Sequence, residues 1–409
     1  MTDQTLPRRQ VDTQWRRALA GAGLVYLFSR LCVAIGAAIV AAELRHDEDT
    51  RLRDLPWARW ADPHYADKLI PVDTVSLVKD VLTGWDGVWY LRIIRNGYPQ
   101  HVSANVNYDM PDARVAFFPT YPNLVRAADW LLPGGADTAA LLVNFVLGAI
   151  AIALVGLLTR RLYDVQVASR AMILMALFPG SFVLSFAYTE ALLIVLAAAT
   201  FWLLMEHQWV AAGLVAALAT ATRPNGIALV AACAVASYLA IRSTREWRSL
   251  SAPLLAPFGF VGFQLWLNHH TGERWVWFRV QSEAWGEGTS FGFTAVRRTW
   301  SAVFSPLTSP TNSITAVCVA TVVGLAWLLR RYRLPVPMMV YSLAVVVLMV
   351  LPETVTARPR FVYTAFPLLI PAAVWFERSR RNWWPWALSS CAVGLTTLTA
   401  LYGVYGAVP

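Results

Sequence analysis

Apolar residues in this chain come in long unbroken runs rather than in strict alternation or on one stripe of a 3.6-residue period. Runs near twenty residues match the roughly 30 Å hydrocarbon layer of a bilayer, so each predicts a membrane helix. They fall at approximately 18–42, 138–158, 170–188, 190–206, 209–222, 225–241, 250–268, 312–329, 335–351, 361–376 and 383–404. The pattern predicts an all-α polytopic membrane protein of about eleven spans, with residues 1–409 forming one multi-spanning domain. Two polar stretches break the rhythm, a first external region at 43–137 and a second large external loop at 269–311. Within the first, 74–82 and 86–96 have the pattern of short amphipathic helices lying at the interface.

One further run, 115–132, is ambiguous. Pro119, Pro122 and Arg126 weaken it as a span. If it lies at the outer interface, the later basic clusters at Arg160 and Arg161, Arg242 to Arg248, Arg330 to Arg333 and Arg378 to Arg381 all fall on the inner side. Arg8, Arg9, Arg16 and Arg17 then place the N-terminus inside, and the C-terminus outside. Arg45, Arg51, Arg53 and Arg59 offend a simple charge count, but long loops escape the positive-inside bias. The expected location is the cell (plasma) membrane, with the N-terminus cytoplasmic and the working face extracytoplasmic. The first run is too long for a cleavable signal and lacks a small-residue cleavage site.

Composition agrees with this: 57% of residues are hydrophobic and 14% charged. The net charge of +9 sits in arginine clusters between spans, which is a topology signal and not a nucleic-acid footprint. Cys32, Cys233, Cys318 and Cys391 lie within apolar runs. No CxxC or Cys/His spacing supports a disulfide framework or a zinc site. No cofactor is firmly implied, and a divalent metal has no ligand spacing behind it. Arg30 interrupts the first span, so it should face a protein interior, chiefly for structural pairing.

With this topology, the unusual polar residues near membrane ends gather on the outer side. Asp86 stands between Trp85 and Trp89 in Gly84–Pro99, and a helix beginning there puts Trp89, Tyr90 and Ile93 on its own side. Asp86 also reads as an ordinary N-cap, although Thr83 is placed to cap the same helix. Tyr188-Thr189-Glu190 and Thr222-Arg223-Pro224-Asn225-Gly226 stand at span junctions. The 269–311 loop adds His269 and His270, and Arg358-Pro359-Arg360 completes the set. Glu190 as a helix-start acid and Pro-Asn-Gly as a plain turn remain open beside any functional role. A carboxylate among arginines and aromatics at a lipid surface suits a reaction on a lipid phosphate.

Four motifs in order carry a resemblance. They are Trp85-Asp86-Gly87-x-Trp89-Tyr90-Leu91 with Asn96-Gly97-Tyr98-Pro99, then Phe117-Phe118-Pro119-x-Tyr121-Pro122, then Tyr188-Thr189-Glu190-Ala191-Leu192, then Ala221-Thr222-Arg223-Pro224-Asn225-Gly226. Together they resemble the phosphatidylinositol-glycan class V-like (PIG-V-like) mannosyltransferases, membrane glycosyltransferases of the GT-C fold that use lipid-phosphate sugars. The resemblance covers roughly 18–230; beyond it only hydropathy and Arg360-Phe361 match. Pro224 departs from the pattern, where a small polar residue is expected.

The resemblance implies an inverting transfer of mannose from a polyprenyl-phosphate mannose to a glycolipid or lipoglycan acceptor, among membrane lipids and without nucleic acid. It implies Asp86 as the base, with Arg223, Arg358 and Arg360 on the donor phosphate. Trp85, Trp89, Tyr90, Tyr121, Glu190, Asn225, His269 and His270 are the candidate substrate contacts. The competing classes are a lipid or sugar-lipid translocase and a non-catalytic partner in an envelope-glycolipid assembly complex.

Overall fold

The computed structural model describes residues 8–46, 74–353 and 359–404. These fold as helices, and the one β contact among them is an isolated antiparallel bridge between Thr289 and Pro352. Five helical stretches are long and apolar enough to cross a membrane: Thr13–Glu43, Gly135–Leu162, Pro224–Thr244, Trp247–Thr271 and Pro310–Arg331. Four shorter apolar helices, Val165–Leu177, Glu190–Met205, Trp209–Thr220 and Val336–Val350, lie among them. The main apolar core runs through the bundle, from Trp15 and Tyr26 in the first helix to Leu398 and Tyr402 in the last, and a smaller cluster joins Tyr90 and Tyr121 to Ala136, Ala139 and Leu192.

Three of the expected spans are not continuous helices, and the run at 250–268 is divided into Ser251–Leu255 and Phe258–Thr271. The run at 170–188 ends as a helix at Leu177, turns through a 3-10 segment Pro179–Leu184, and reaches Tyr188 without helical backbone. Pro179-Gly180 is the cause, since proline removes a backbone donor and disfavours helix before it. The run at 361–376 is likewise divided into Pro359–Thr364, Phe366–Leu368 and Leu369–Arg378. Interrupted backbone inside an apolar bundle must find partners from elsewhere in the protein. Arg30 supplies them: it donates to the carbonyls of Ala176 and Ser181 and to the hydroxyls of Ser29, Ser181 and Ser185. Asn144 donates to the carbonyl of Tyr188 at 2.8 Å and to that of Phe186.

The two short helices read from the first external region form as Thr74–Thr83 and Asp86–Asn96. Helix Thr120–Leu131, in the ambiguous run, has 12 residues and is amphipathic. At about 1.5 Å per residue it falls well short of the hydrocarbon thickness. Arg126 donates to the carbonyls of Ile93 and Ile94, closing the end of Asp86–Asn96.

The segments at 89–118 and 263–280 share a second packed cluster. Trp89, Val115, Phe118, Phe263, Val276 and Trp277 share its core, and Trp277 donates to the carbonyl of Ala116. The loop after helix Val276–Trp285 is pinned to the 351–353 segment, with Ser290 N donating to Leu351 O and Glu353 N to Gly288 O.

Two outcomes test this arrangement. Replacing Arg30 by Met removes the guanidinium donors from the break at 176–185 and takes from the buried Ser181 carbonyl its Arg30 partner, while Ala176 O keeps only the Ser181 hydroxyl. It is expected to cost about 3 kcal/mol or more, read as a lower melting temperature in detergent. Lys is expected to restore only part, because it lacks the planar fork of donors. Cysteines placed at Ser243 and Arg331 are expected to label from one side of the membrane, and those at His101 and Gly286 from the other. Labelling of the 101 and 243 positions from the same side would refute the arrangement.

Candidate active site

Asp86 opens its helix, but it is not the cap. The cap position is Trp85, whose side chain makes no capping bond, and Thr83 Oγ1 donates instead to Lys79 O in the preceding helix. The Asp86 carboxylate is therefore left for another partner, and that partner is Arg360, 274 residues away, whose Nη1 donates to Oδ2. Trp85 sits at φ 55°, an uncommon backbone for a bulky residue, and its indole donates to Tyr402 O at 2.9 Å. The turn that presents Asp86 is thus tied to the last helix. Ala187 N donates to Leu82 O at 2.9 Å and joins the same turn to the segment carrying Tyr188.

Glu190 begins helix Glu190–Met205 and is fully buried. Arg223 Nη1 lies 2.5 Å from its Oε1, and Arg360 Nη1 lies 3.7 Å from the same oxygen. Four charges from four distant segments, Asp86, Glu190, Arg223 and Arg360, make one chain of ion pairs. Arg223 also donates to Thr189 Oγ1 at 3.2 Å, and Thr189 shares a hydrogen bond with the Tyr90 hydroxyl at 3.3 Å. Both guanidinium groups lie over the Phe361 ring, with centroid distances of 5.2 Å for Arg223 and 5.5 Å for Arg360. The carboxylates each stand in the first turn of a helix, where the backbone dipole favours negative charge.

Local sequence explains these placements. Pro224 forces the residue before it out of the helical region, and Arg223 is extended at φ −164°, ψ 149°. The proline that departs from the family pattern therefore helps aim the arginine. Gly226 passes so close to the preceding helix that a Cβ would meet Ala219 O at 2.3 Å. Gly180 allows the same approach to Pro359 O, where a Cβ would come within 2.7 Å, and so brings the Arg360 segment against the 179–184 turn. Thr120 fixes the other side of the Arg223 turn by donating to Ala221 O from both its N and its Oγ1.

The remaining candidates divide. Tyr90 joins the charged group through Thr189, and Asn225, in the turn after Arg223, is buried with its Nδ2 unpartnered among the described residues. Trp89 packs into an aromatic group with Tyr108, Phe117 and Trp285. Tyr108 is within electrostatic reach of Asp86, and burial pushes its phenol up to about 12. Tyr121 stands behind Tyr90, ring to ring at 5.3 Å. His269 and His270 belong to the last turn of helix Phe258–Thr271. His270 stacks on Trp266 and its Nε2 meets Tyr98 O at 3.3 Å; neither histidine contacts the ion-paired group. Arg358 lies outside the described residues. Tyr188, fully buried with its ring 5.4 Å from the Arg360 guanidinium, and Trp285 were not among the candidates read from sequence. The Tyr-Thr-Glu motif was the available signal for Tyr188; nothing local marks Trp285.

A dry ion pair is costly to break from one side. Arg223→Met leaves Glu190 short of its nearest cation and is expected to destabilise the fold by about 3–5 kcal/mol. The double variant with Glu190→Gln is expected to recover much of that loss. Melting temperatures of the two single variants and the double variant check the coupling; strict additivity would contradict it.

Three comparisons bear on this site. Two structures of ArnT from Cupriavidus metallidurans, one apo and one bound to undecaprenyl phosphate, are similar at 16% and 15% identity, with TM-scores of 0.47 and 0.49. They cover 75% and 76% of this chain and 56% and 57% of theirs. An oligosaccharyltransferase from Archaeoglobus fulgidus, tethered to an acceptor peptide, aligns over 93% of this chain and 55% of its own at 15% identity and a TM-score of 0.40. This chain thus spans a little over half the length of these structures. Among proteins of curated function, none matches. Residues 121–267, which contain Glu190, Arg223 and Asn225, match the family described as dolichyl-phosphate-mannose-protein mannosyltransferase, and over that stretch the chain is similar to it.

Proposed function

We propose that this protein is an inverting glycosyltransferase of the extracytoplasmic membrane face. It moves mannose from a polyprenyl-phosphate mannose to a lipid-linked or glycolipid acceptor. The observation that carries this reading is that one guanidinium, Arg360, serves both Asp86 and Glu190, while of these two carboxylates only Asp86 is partly exposed. Its side chain is 20% exposed and that of Glu190 is 0% exposed. An acceptor hydroxyl therefore has one carboxylate to meet. The family matched over 121–267 supports a lipid-phosphate mannose donor.

The charges balance through the step. Asp86 takes the proton of the acceptor hydroxyl as that oxygen bonds to the anomeric carbon. The bond from that carbon to the phosphate oxygen breaks, and the released lipid phosphate gains one negative charge. Asp86 becomes neutral in the same step, so Arg360 loses the nearer of its two anionic partners when the phosphate needs a cation. A cation shared in this way stabilises charge as it develops, without bringing a new ion into a dry site. A single displacement needs one base, in keeping with one exposed carboxylate. A protein hydroxyl is the second reading for the acceptor, favoured by the description of the matched family.

Asp86→Asn keeps an oxygen that accepts from Arg360 but cannot take a proton. Folded yield is expected to stay near wild type, while turnover per folded molecule falls by about 10²–10⁴-fold. Asp86→Glu is expected to retain little, because moving a reacting group by about 1 Å costs on the order of 100-fold. The assay uses purified protein, labelled polyprenyl-phosphate mannose and a membrane lipid extract, with a protein acceptor in a parallel arm. Near-wild-type turnover of Asp86→Asn would end the assignment.

A further inference from the structure

Tyr188 is fully buried beside the charged group, yet its hydroxyl has no hydrogen-bond partner among the described residues. The ring is held without it. Phe186 packs against it at 5.4 Å, Arg360 covers it at 5.4 Å, and Asn144 holds the backbone carbonyl. The hydroxyl lies within electrostatic reach of Asp86, Arg360 and Glu190. Two other buried donors around the same ion pairs are also unpartnered, Arg360 Nε and Asn225 Nδ2. A buried polar atom with no partner lowers stability, so folding alone gives no reason to keep these donors.

We propose that the Tyr188 hydroxyl, with Arg360 Nε and Asn225 Nδ2, seats the phosphate of the lipid donor, the phenol donating to a phosphate oxygen. This deepens the reading of the site as a lipid-phosphate glycosyltransferase and rests on it. Three donors suit an anion with several acceptor oxygens, and a phosphate there lies next to the guanidinium that Asp86 releases on protonation.

Tyr188→Phe removes one oxygen and leaves the ring contacts intact. Without ligand, its melting temperature in detergent is expected to equal or exceed that of wild type. Its Kd for undecaprenyl phosphate is expected to rise roughly 10- to 100-fold, the loss of one charge-assisted hydrogen bond. Undecaprenol, which lacks the phosphate, is expected to bind both proteins alike, and inorganic phosphate is expected to show the same preference for wild type. Equal affinity of the two proteins for undecaprenyl phosphate would overturn the assignment of Tyr188 while leaving the transferase reading standing. Failure of wild type to bind undecaprenyl phosphate would overturn both. A melting temperature several degrees below wild type would also overturn it, because the hydroxyl would then have a partner in the fold.

Discussion

Two carboxylates and two guanidinium groups largely withdrawn from water must neutralise one another, and that requirement orders the end of the bundle where they meet. Glu190 is fully buried, and Arg223 is buried against it. Removing charges from water costs several kcal/mol for each ion after relaxation. The cost is offset only where opposite charges meet at hydrogen-bonding distance. Asp86 begins one helix and Glu190 another, while Arg223 lies in a turn and Arg360 in the first turn of a short helix. The packing of the spans must bring these four ends together to within a few ångströms. A neutral cluster of this kind can accept one proton and one additional negative charge in a single step without changing its total.

The helices near the site stop, turn and restart, and each break is served by a side chain from elsewhere. Arg30 fills the break at 176–185, Asn144 holds the carbonyl of Tyr188, and Trp85 reaches the last helix. Close backbone approach at Gly180 and Gly226 brings the arginine-bearing segments against the bundle. The result is irregular backbone where side chains must converge, inside a scaffold of regular helices that fixes its position. Beside it, the loops lock to one another through Trp277 and Ala116, and to the 351–353 segment through Gly288 and Glu353. Trp285, from the same loop, packs on Trp89 one helical turn from Asp86. These loops and the turn that carries Asp86 are therefore parts of one packed unit.

Much of this was legible along the chain. Unbroken apolar runs determined an all-helical membrane protein, because a bilayer leaves a lone segment no other way to satisfy its backbone. Amphipathic spacing determined the short helices at 74–83 and 86–96 to within a residue of their observed ends. Asp86, Glu190, Arg223 and Arg360 stood out because charge near a membrane end is expensive, and that expense is visible without knowing the partner. The run at 170–188 read as one span, and its break at Pro179-Gly180 appears only in the fold.

The partners themselves were decided by tertiary structure. Whether Asp86 caps its helix or faces a cation depends on Arg360, 274 residues away, and no local pattern reports that distance. The histidines at 269 and 270 looked functional by their polarity. At the end of helix Phe258–Thr271, His270 stacks on Trp266 and meets the Tyr98 carbonyl, partners that polarity alone does not name. Tyr188 reads in sequence as an aromatic at a span junction, and only packing isolates its hydroxyl beside the ion pairs. Hydropathy and helical period are properties of neighbouring residues, so the sequence by itself determined the elements and the costly charges within them. Which charge answers which is settled by how spans far apart in the chain pack together, and that was left to the fold.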